Sequence, residues 1–502
     1  MKKTAGTSKY LRRVRCSIVG LLASLPMWGW AAGEVDTSIL VDPLRAIPET
    51  LAHGERLPGE DSPLICPQQT PAPGAVLSLL DAIHLALCAN PRVQLAWIAI
   101  ETQAANLGQA RSAWLPKVNA TARRLRDTTD AGSVNGLSST STTYRGESTS
   151  VSMVWRLLDF GTRNNNMQAA DNLLAAALAT HDATLQQTMA AVVQAWFDAQ
   201  IAQASWLERK ASLEAARNTL EVARRKEANG AGSTSETLQA KTAVARAALD
   251  VSRAQGNFAQ SRMSLANVVG LPADAQFQLP ELVAPEHAQL GRELANWLAE
   301  AQAQHPAITA AKLQEAAALA QVKAVRADGL PSLDFMVADY RNGRPDQGLS
   351  GVTTSERQVG FVLSIPLFEG FERNYRIRGA EALTRQRQAE LHDAEQRVAL
   401  EVAQAYAQTT SALESLQISK DLLDSATASQ ASSSRRYQNG VADMTEVLNT
   451  QQALADAWQQ RSLGIAQWYA ASLRMAAAVG HLGYIELRDQ GGQQVGDGSG
   501  EH

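Results

Sequence analysis

Apolar positions along this chain switch between two spacings. Val151, Met153, Trp155 and Leu157 alternate with Ser150, Ser152 and two departures, Val154 and Arg156. Further on, Val359, Phe361, Leu363, Ile365 and Leu367 alternate with Gln358, Gly360, Val362 and Ser364. A period of two marks strands whose faces differ in polarity. Val118, Ala120 and Ala122 supply the partner strand of the first hairpin, and Leu333, Phe335 and Val337 that of the second. The connections, at about 128–146 and 342–355, are rich in Ser, Thr and Gly. Elsewhere the pattern predicts helices. The stretches 162–228 and 371–438 hold no proline, and about 67 residues at 1.5 Å each span about 100 Å. Shorter helices are expected at about 79–113 and 292–327. Each ends before a Leu-Pro pair, because the residue preceding proline is pushed out of the α region. Returning helices at about 233–269 and 443–479 follow Asn-Gly turns, the residues most tolerant of a left-handed backbone. Helices of such length joined by short turns pack as antiparallel coiled coils.

The elements form one unit written twice. Asn90-Pro91 recurs as His305-Pro306, and Leu115-Pro116 as Leu330-Pro331, both 215 residues on. Leu157-Leu158-Asp159 with Arg163-Asn164 recurs as Leu367-Phe368-Glu369 with Arg373-Asn374, now 210 residues on. Asn229-Gly230, Glu236, Leu238 and Val269-Gly270 return as Asn439-Gly440, Glu446, Leu448 and Val479-Gly480 at the same 210. One five-residue length change between Val118 and Leu157 reconciles the offsets. The expected organisation is a signal peptide (1–32), a Pro-rich lead-in (33–76), a first repeat (77–270), a linker (271–291), a second repeat (292–480) and a flexible tail (481–502).

The signal reading rests on Lys2, Lys3, Lys9, Arg12, Arg13 and Arg15 before an apolar stretch from Cys16 to Trp30, closed by Ala31 and Ala32. That stretch is too short to span a membrane, and no lipobox precedes Cys16. Removing it leaves Cys66 and Cys88, which can pair in an exported chain. The closed loop of 22 residues would contribute about 3 kcal/mol by the loop-entropy argument. A formal charge of -4 argues against nucleic acid, whose binders carry a basic domain. No metal-ligand or nucleophile motif is present, so neither cofactor, metal nor catalysis is expected. His84, His305 and His481 read as structural residues near helix ends.

Four strands cannot close a barrel, and an open sheet edge in lipid leaves backbone groups unsatisfied. A soluble sandwich would show the same alternation, but the long helices attached to both ends of each hairpin favour a membrane barrel shared between copies. Single-chain barrels begin at about eight strands, so two or three copies satisfy the count, and three leave room for a lumen.

At this point the residues resemble a known family. The doubled unit, the Asn-Pro and Leu-Pro junctions, Ile365-Pro366-Leu367-Phe368-Glu369-Gly370, and Arg436-Tyr437-Gln438-Asn439-Gly440 followed by Glu446-Val447-Leu448 look like TolC-type outer-membrane factors. The likeness covers about 77–480. It implies a mainly α protein with a membrane β-barrel: a homotrimer whose twelve strands stand on a periplasmic α-barrel. It also implies outer-membrane lipid around the strands, a periplasmic adaptor, and an inner-membrane ABC transporter or efflux pump as partners. Tyr437 matches a tyrosine that bonds an acidic residue of the neighbouring hairpin and holds the entrance closed; Glu236 matches that partner. An arginine of the same latch corresponds to Ala442. Of two acidic positions lining the constriction, Glu446 matches the first and Asn449 replaces the second. Three close copies of Glu446 would repel one another and attract cations. The tips at Gly230-Ala231 and Gly440-Val441 match the adaptor-docking end. Arg156 stands where the second repeat has Pro366, so the two strand-to-helix junctions are expected to differ.

The expected function is export of a protein through a type I secretion duct. The alternative is a drug or metal efflux channel carrying small molecules. A structural coiled coil without a pore would explain the helices but leave the two hairpins unaccounted for.

Overall fold

The computed structural model describes residues 42–47, 74–131, 140–285, 288–344 and 352–482. The signal sequence, Cys66 and most of the lead-in and tail lie outside them. Contacts divide the chain into 1–45 and 46–502. Of the first unit, only a turn is described, in which the Arg45 N–H donates to the Asp42 carbonyl at 3.2 Å.

The second unit holds α1 (Leu79–Ala89), α2 (Pro91–Ser112), β1 (Lys117–Ala131), β2 (Thr140–Leu158), α3 (Thr162–Ala228), α4 (Thr234–Val269), α5 (Leu294–Gln304), α6 (Pro306–Asp328), β3 (Ser332–Arg341), β4 (Ser355–Ser364), α7 (Glu372–Gln438) and α8 (Met444–Val479). The two proline-free helices are each 67 residues long. On one side of the linker α3 packs against α2 and α6, and on the other against α4 and α8; α7 packs on α6 and then on α8. Thus α3 and α7 run through both halves while their partners change.

Two of the expected helices are not continuous. Those foreseen at 79–113 and 292–327 are each broken in two, at Asn90 and at His305. Proline removes an N–H and holds the preceding residue extended: Asn90 has ψ 122° and His305 ψ 126°. Each of these residues ends one helix and caps the next. Asn90 Oδ1 accepts from the Arg92 N–H at 2.9 Å, and His305 Nδ1 from the Ala307 N–H at 3.2 Å. The bend at Asn90 is 48°.

The linker lies over the largest core, where Ile83, Leu87, Trp196, Phe197, Leu265, Val269, Phe277, Leu279 and Tyr469 are buried together. Phe197 stacks on Tyr469 with centroids 5.9 Å apart. Residues 74–76 of the lead-in, with Leu77, pair with the linker through a parallel bridge at Val76 and Gln278. Beyond α8, Gln186 clasps the backbone of Leu482 from both sides, donating at 3.0 Å and accepting at 3.1 Å. Packed structure therefore reaches two residues into the expected tail.

The strands form one antiparallel sheet in the order β1-β2-β3-β4. β1 and β2 run well into the stretch expected to be loop, leaving only 132–139 between them. The reason is threonine, which is β-branched and favours strands. Thr128 and Thr143 face each other there with hydroxyls 3.1 Å apart. The register sorts the sheet into two faces. One carries Val118, Ala120, Val151, Met153, Trp155, Leu333, Phe335, Val337, Val359, Phe361 and Leu363 in facing pairs. Val118, Val359, Phe361 and Leu363 are each more than half exposed. The other face carries Asn119, Thr121, Ser150, Ser152, Asp334, Gln358 and Ser364. Arg156, a departure in the sequence pattern, belongs to that polar face and grips Asp334 with two hydrogen bonds of 2.9 and 3.2 Å.

The strand-to-helix junctions differ as expected. β2 ends at Leu158, four residues before α3, whereas β4 ends at Ser364, two before Pro366 and eight before α7. In the first junction Asp159 accepts from the backbone N–H groups of Gly161 and Arg163. The buried Arg163 guanidinium donates to Asp159 and to the Arg156 and Leu157 carbonyls, and lies 4.3 Å from the Trp114 ring centroid.

Candidate functional site

The two helical hairpins turn on the same geometry. After α3, the Ala231 N–H donates to the Lys226 carbonyl at 2.8 Å and the Gly230 N–H to the Glu227 carbonyl at 3.0 Å. After α7, Val441 donates to Arg436 at 2.8 Å and Gly440 to Tyr437 at 3.1 Å. This 6→1 and 5→2 pairing needs a left-handed residue, supplied by Gly230 at φ 72° and Gly440 at φ 75°. Apolar contact with the preceding helix usually accompanies it, but here Val441 is 68% exposed.

Ser233 and Asp443 then cap α4 and α8, accepting from the Glu236 and Glu446 N–H groups at 3.3 and 2.8 Å. A glutamate three residues after the cap normally bonds back to it. Both side chains instead turn elsewhere, and differently. Glu236 Oε2 accepts from the Tyr437 hydroxyl at 3.4 Å, tying the first hairpin to the second. Glu446 pairs with Arg436 of its own hairpin at 2.7 Å. Tyr437 is 4% exposed and packs with Leu220, Ala223, Ala240, Met444 and Val447; Ala442 lies against the same cluster. Burial first, then the nearby Glu236 carboxylate, push the Tyr437 hydroxyl up to about 12.

Two cations here were given no role by the sequence reading, although Arg436 lies in its motif. Lys226 Nζ donates to the Tyr437 carbonyl and stands 3.9 Å from the centroid of its ring. Arg436 is the repeat equivalent of Lys226, 210 residues on, and neutralises Glu446. Their positions in the last turns of α3 and α7, where the helix dipole attracts positive charge, were the available signal. Tyr437 and Glu236 are thus brought together across the two hairpins, while Glu446 pairs with Arg436 within its own. Asn449 joins neither pair: it is exposed and lines a groove of about 560 Å³ with Gln239, Thr242 and Gln452.

Cys88, in α1, is a disulfide cysteine whose partner lies outside the described residues. Among the described residues no group of acidic, histidine or cysteine side chains could hold a metal ion, and no single helix is long and apolar enough to cross a membrane.

A sheet with one apolar face, set on hairpins of 67-residue helices, is the architecture of an outer-membrane channel with a β-barrel on an α-barrel. The chain belongs to the outer membrane efflux protein family, whose profile matches residues 82–271 and 297–481. Among its relatives is protein CyaE of Bordetella pertussis, 34% identical over 409 residues, covering 81% of this chain and 85% of that one. The alkaline protease secretion protein AprF of Pseudomonas aeruginosa is 24% identical over 432 residues, covering 82% and 86%. The same fold occurs in the outer membrane protein VceC of Vibrio cholerae (TM-score 0.68, 18% identity, 80% of this chain and 96% of that chain) and in CusC (0.67, 20%, 85% and 98%).

Proposed function

We propose that the chain works as a homotrimer whose twelve strands close a single barrel, and that this duct is the exit of a type I protein secretion system. The observation that carries the reading is the open sheet: β1 and β4 each have a neighbour on one side only, while the apolar face is built for lipid. Unpaired strand edges cannot remain in hydrocarbon, and a neighbouring copy supplies the missing ladder. The secretion role is supported by AprF, whose name ties it to protease secretion, and by the extent of the match to CyaE.

In this reading an inner-membrane ABC transporter and a periplasmic adaptor deliver an exported protein to the helical end. The adaptor docks on the tips at Gly230-Ala231 and Gly440-Val441, where the exposed Val441 offers an apolar contact. The Tyr437–Glu236 bond holds the entrance shut, with Lys226 clamping Tyr437 in place of the arginine lost at Ala442. Glu446 and Asn449 line the constriction, and Arg436 offsets the charge of Glu446 in the closed state. Cys66 closes the disulfide with Cys88 and ties the lead-in to α1.

Deleting the gene in its host tests this. The expected result is loss of one protein from the culture supernatant with drug and metal tolerance unchanged. Unchanged secretion with lost tolerance would assign the duct to efflux instead, and absence from outer-membrane fractions would leave only a coiled coil.

A further inference from the structure

The apolar face of the sheet ends in arginines. Continuing up the same face, Val118, Ala120 and Ala122 are followed by Arg124 and Arg126 on β1, and Val151 by Thr149, Glu147 and Arg145 on β2. Across the sheet Asp339 and Arg341 follow Val337, and Arg357 follows Val359. The outward surface here therefore holds five arginines and two carboxylates. Arg357 and Arg341 share Asp339 at 3.2 and 3.6 Å. Arg126 and Arg145 stand directly opposite each other. Both are exposed, and among the described residues neither has an ion pair. Facing side chains of an antiparallel pair are about 5 Å apart at Cβ, and like charges there destabilise the ladder.

Height decides what can offset this repulsion. Arg145 lies 13 residues up β2 from Leu158, about 43 Å of strand. A barrel tilt near 40° shortens that to about 33 Å, against an apolar band of about 25 Å. The rung therefore stands in the headgroup layer of the outer leaflet, facing outwards. Two guanidiniums from opposite sides match a phosphate, which accepts bidentate hydrogen bonds from arginine. The Thr128 and Thr143 hydroxyls, one rung further on this face, add donors.

The geometry points to a binding site at Arg126 and Arg145, with Arg124 one rung below on the same face, for the phosphate of a phosphorylated glycolipid of the outer leaflet. This rests on the barrel proposed above. The test places the full-length chain in phosphatidylcholine nanodiscs doped with diphosphoryl lipid A or with the same lipid dephosphorylated. Retained lipid is counted by native mass spectrometry, and single-channel current is recorded in parallel. The wild type should keep the phosphorylated form about tenfold better, a preference of the size that charge-assisted bidentate contacts provide. The double variant Arg126→Gln/Arg145→Gln should lose the preference while conducting normally, and Arg217→Gln on α3 should keep it. Equal retention of both lipids by a conducting wild type, or an undiminished preference in the double variant, overturns this inference alone. A preference abolished by millimolar inorganic phosphate also overturns it, in favour of a free anion. A wild type that never conducts removes the duct reading, and this site with it.

Discussion

At the level of single residues, the tip cluster divides one set of repeat positions between two jobs. Lys226 and Arg436 are equivalent, as are Glu236 and Glu446, yet only the second pair closes on itself; Glu236 reaches Tyr437 instead. Tyr437 is what differs, since its equivalent in the first repeat is Glu227. Lys226→Met removes a cation from the Tyr437 ring, a contact that contributes about 0.5–2 kcal/mol, and should raise the resting conductance of the closed channel. Tyr437→Phe, which removes the hydroxyl bond to Glu236, should raise it as well, and the double variant should exceed the larger single effect by little, because both changes loosen the same side chain. Strict additivity in bilayer recordings would separate Lys226 from the latch. The raised Tyr437 value fixes the pH response. With the folded hydroxyl at about 12 against about 10 when exposed, the protonated donor is favoured by the fold. Its contribution is complete below pH 10 and is lost as pH climbs towards 12. Closed-state conductance should accordingly show no Tyr437-dependent rise between pH 7 and 9.

At the level of elements, the two elbows at Asn90 and His305 do the same work with different chemistry. Both bend a helix at an X-Pro bond and cap the next turn, but imidazole can accept through Nδ1 only while that nitrogen carries no proton. Burial lowers the His305 value from its ordinary range, so the neutral cap is the folded form. Its contribution is present above the ordinary imidazole range and disappears as pH falls through the lowered one. His305→Asn, which copies the first repeat, should therefore narrow the drop in melting temperature between pH 7.5 and pH 5. An unchanged drop would place the acid sensitivity elsewhere. These elbows also show why the helices were legible only in part. The long helices could be read to within a residue because Gly161 and the Asn-Gly turns punctuate them. Helical periodicity runs straight through Asn90-Pro91, so one helix was read where the backbone makes two. Threonine-rich strand ends looked like loop for a similar reason: polarity hid a backbone preference. The tip cations were not legible, since a basic residue in a last helical turn is ordinary and only the fold brings Lys226 over a tyrosine 211 residues away.

At the level of the whole molecule, the alternation was enough to call for an apolar face and a polar face, and the register bears this out in facing pairs. Assembly is the remaining step. If neighbouring copies join β1 to β4, cysteines placed singly along β1 at Asn119, Ala120 and Thr121 and along β4 at Gly360, Phe361 and Val362 should include combinations that cross-link chains. Oxidation should then give a ladder ending at three chains on denaturing gels. A ladder ending at two would favour a closed eight-stranded barrel without a wide lumen.

The unequal hairpins matter for whatever meets this protein from outside the cell. Among the described strands, β3 and β4 stop at the Arg341–Ser355 rung, while β1 and β2 continue together for nine more rungs, from Arg123–Ser148 to Ala131–Thr140. That is about 30 Å of extra ribbon. An antibody or a phage tail fibre arriving at the cell surface would touch this ribbon first. The first repeat would bear the selection to change its outer face, and the second, whose described strands stop nine rungs sooner, would bear less of it.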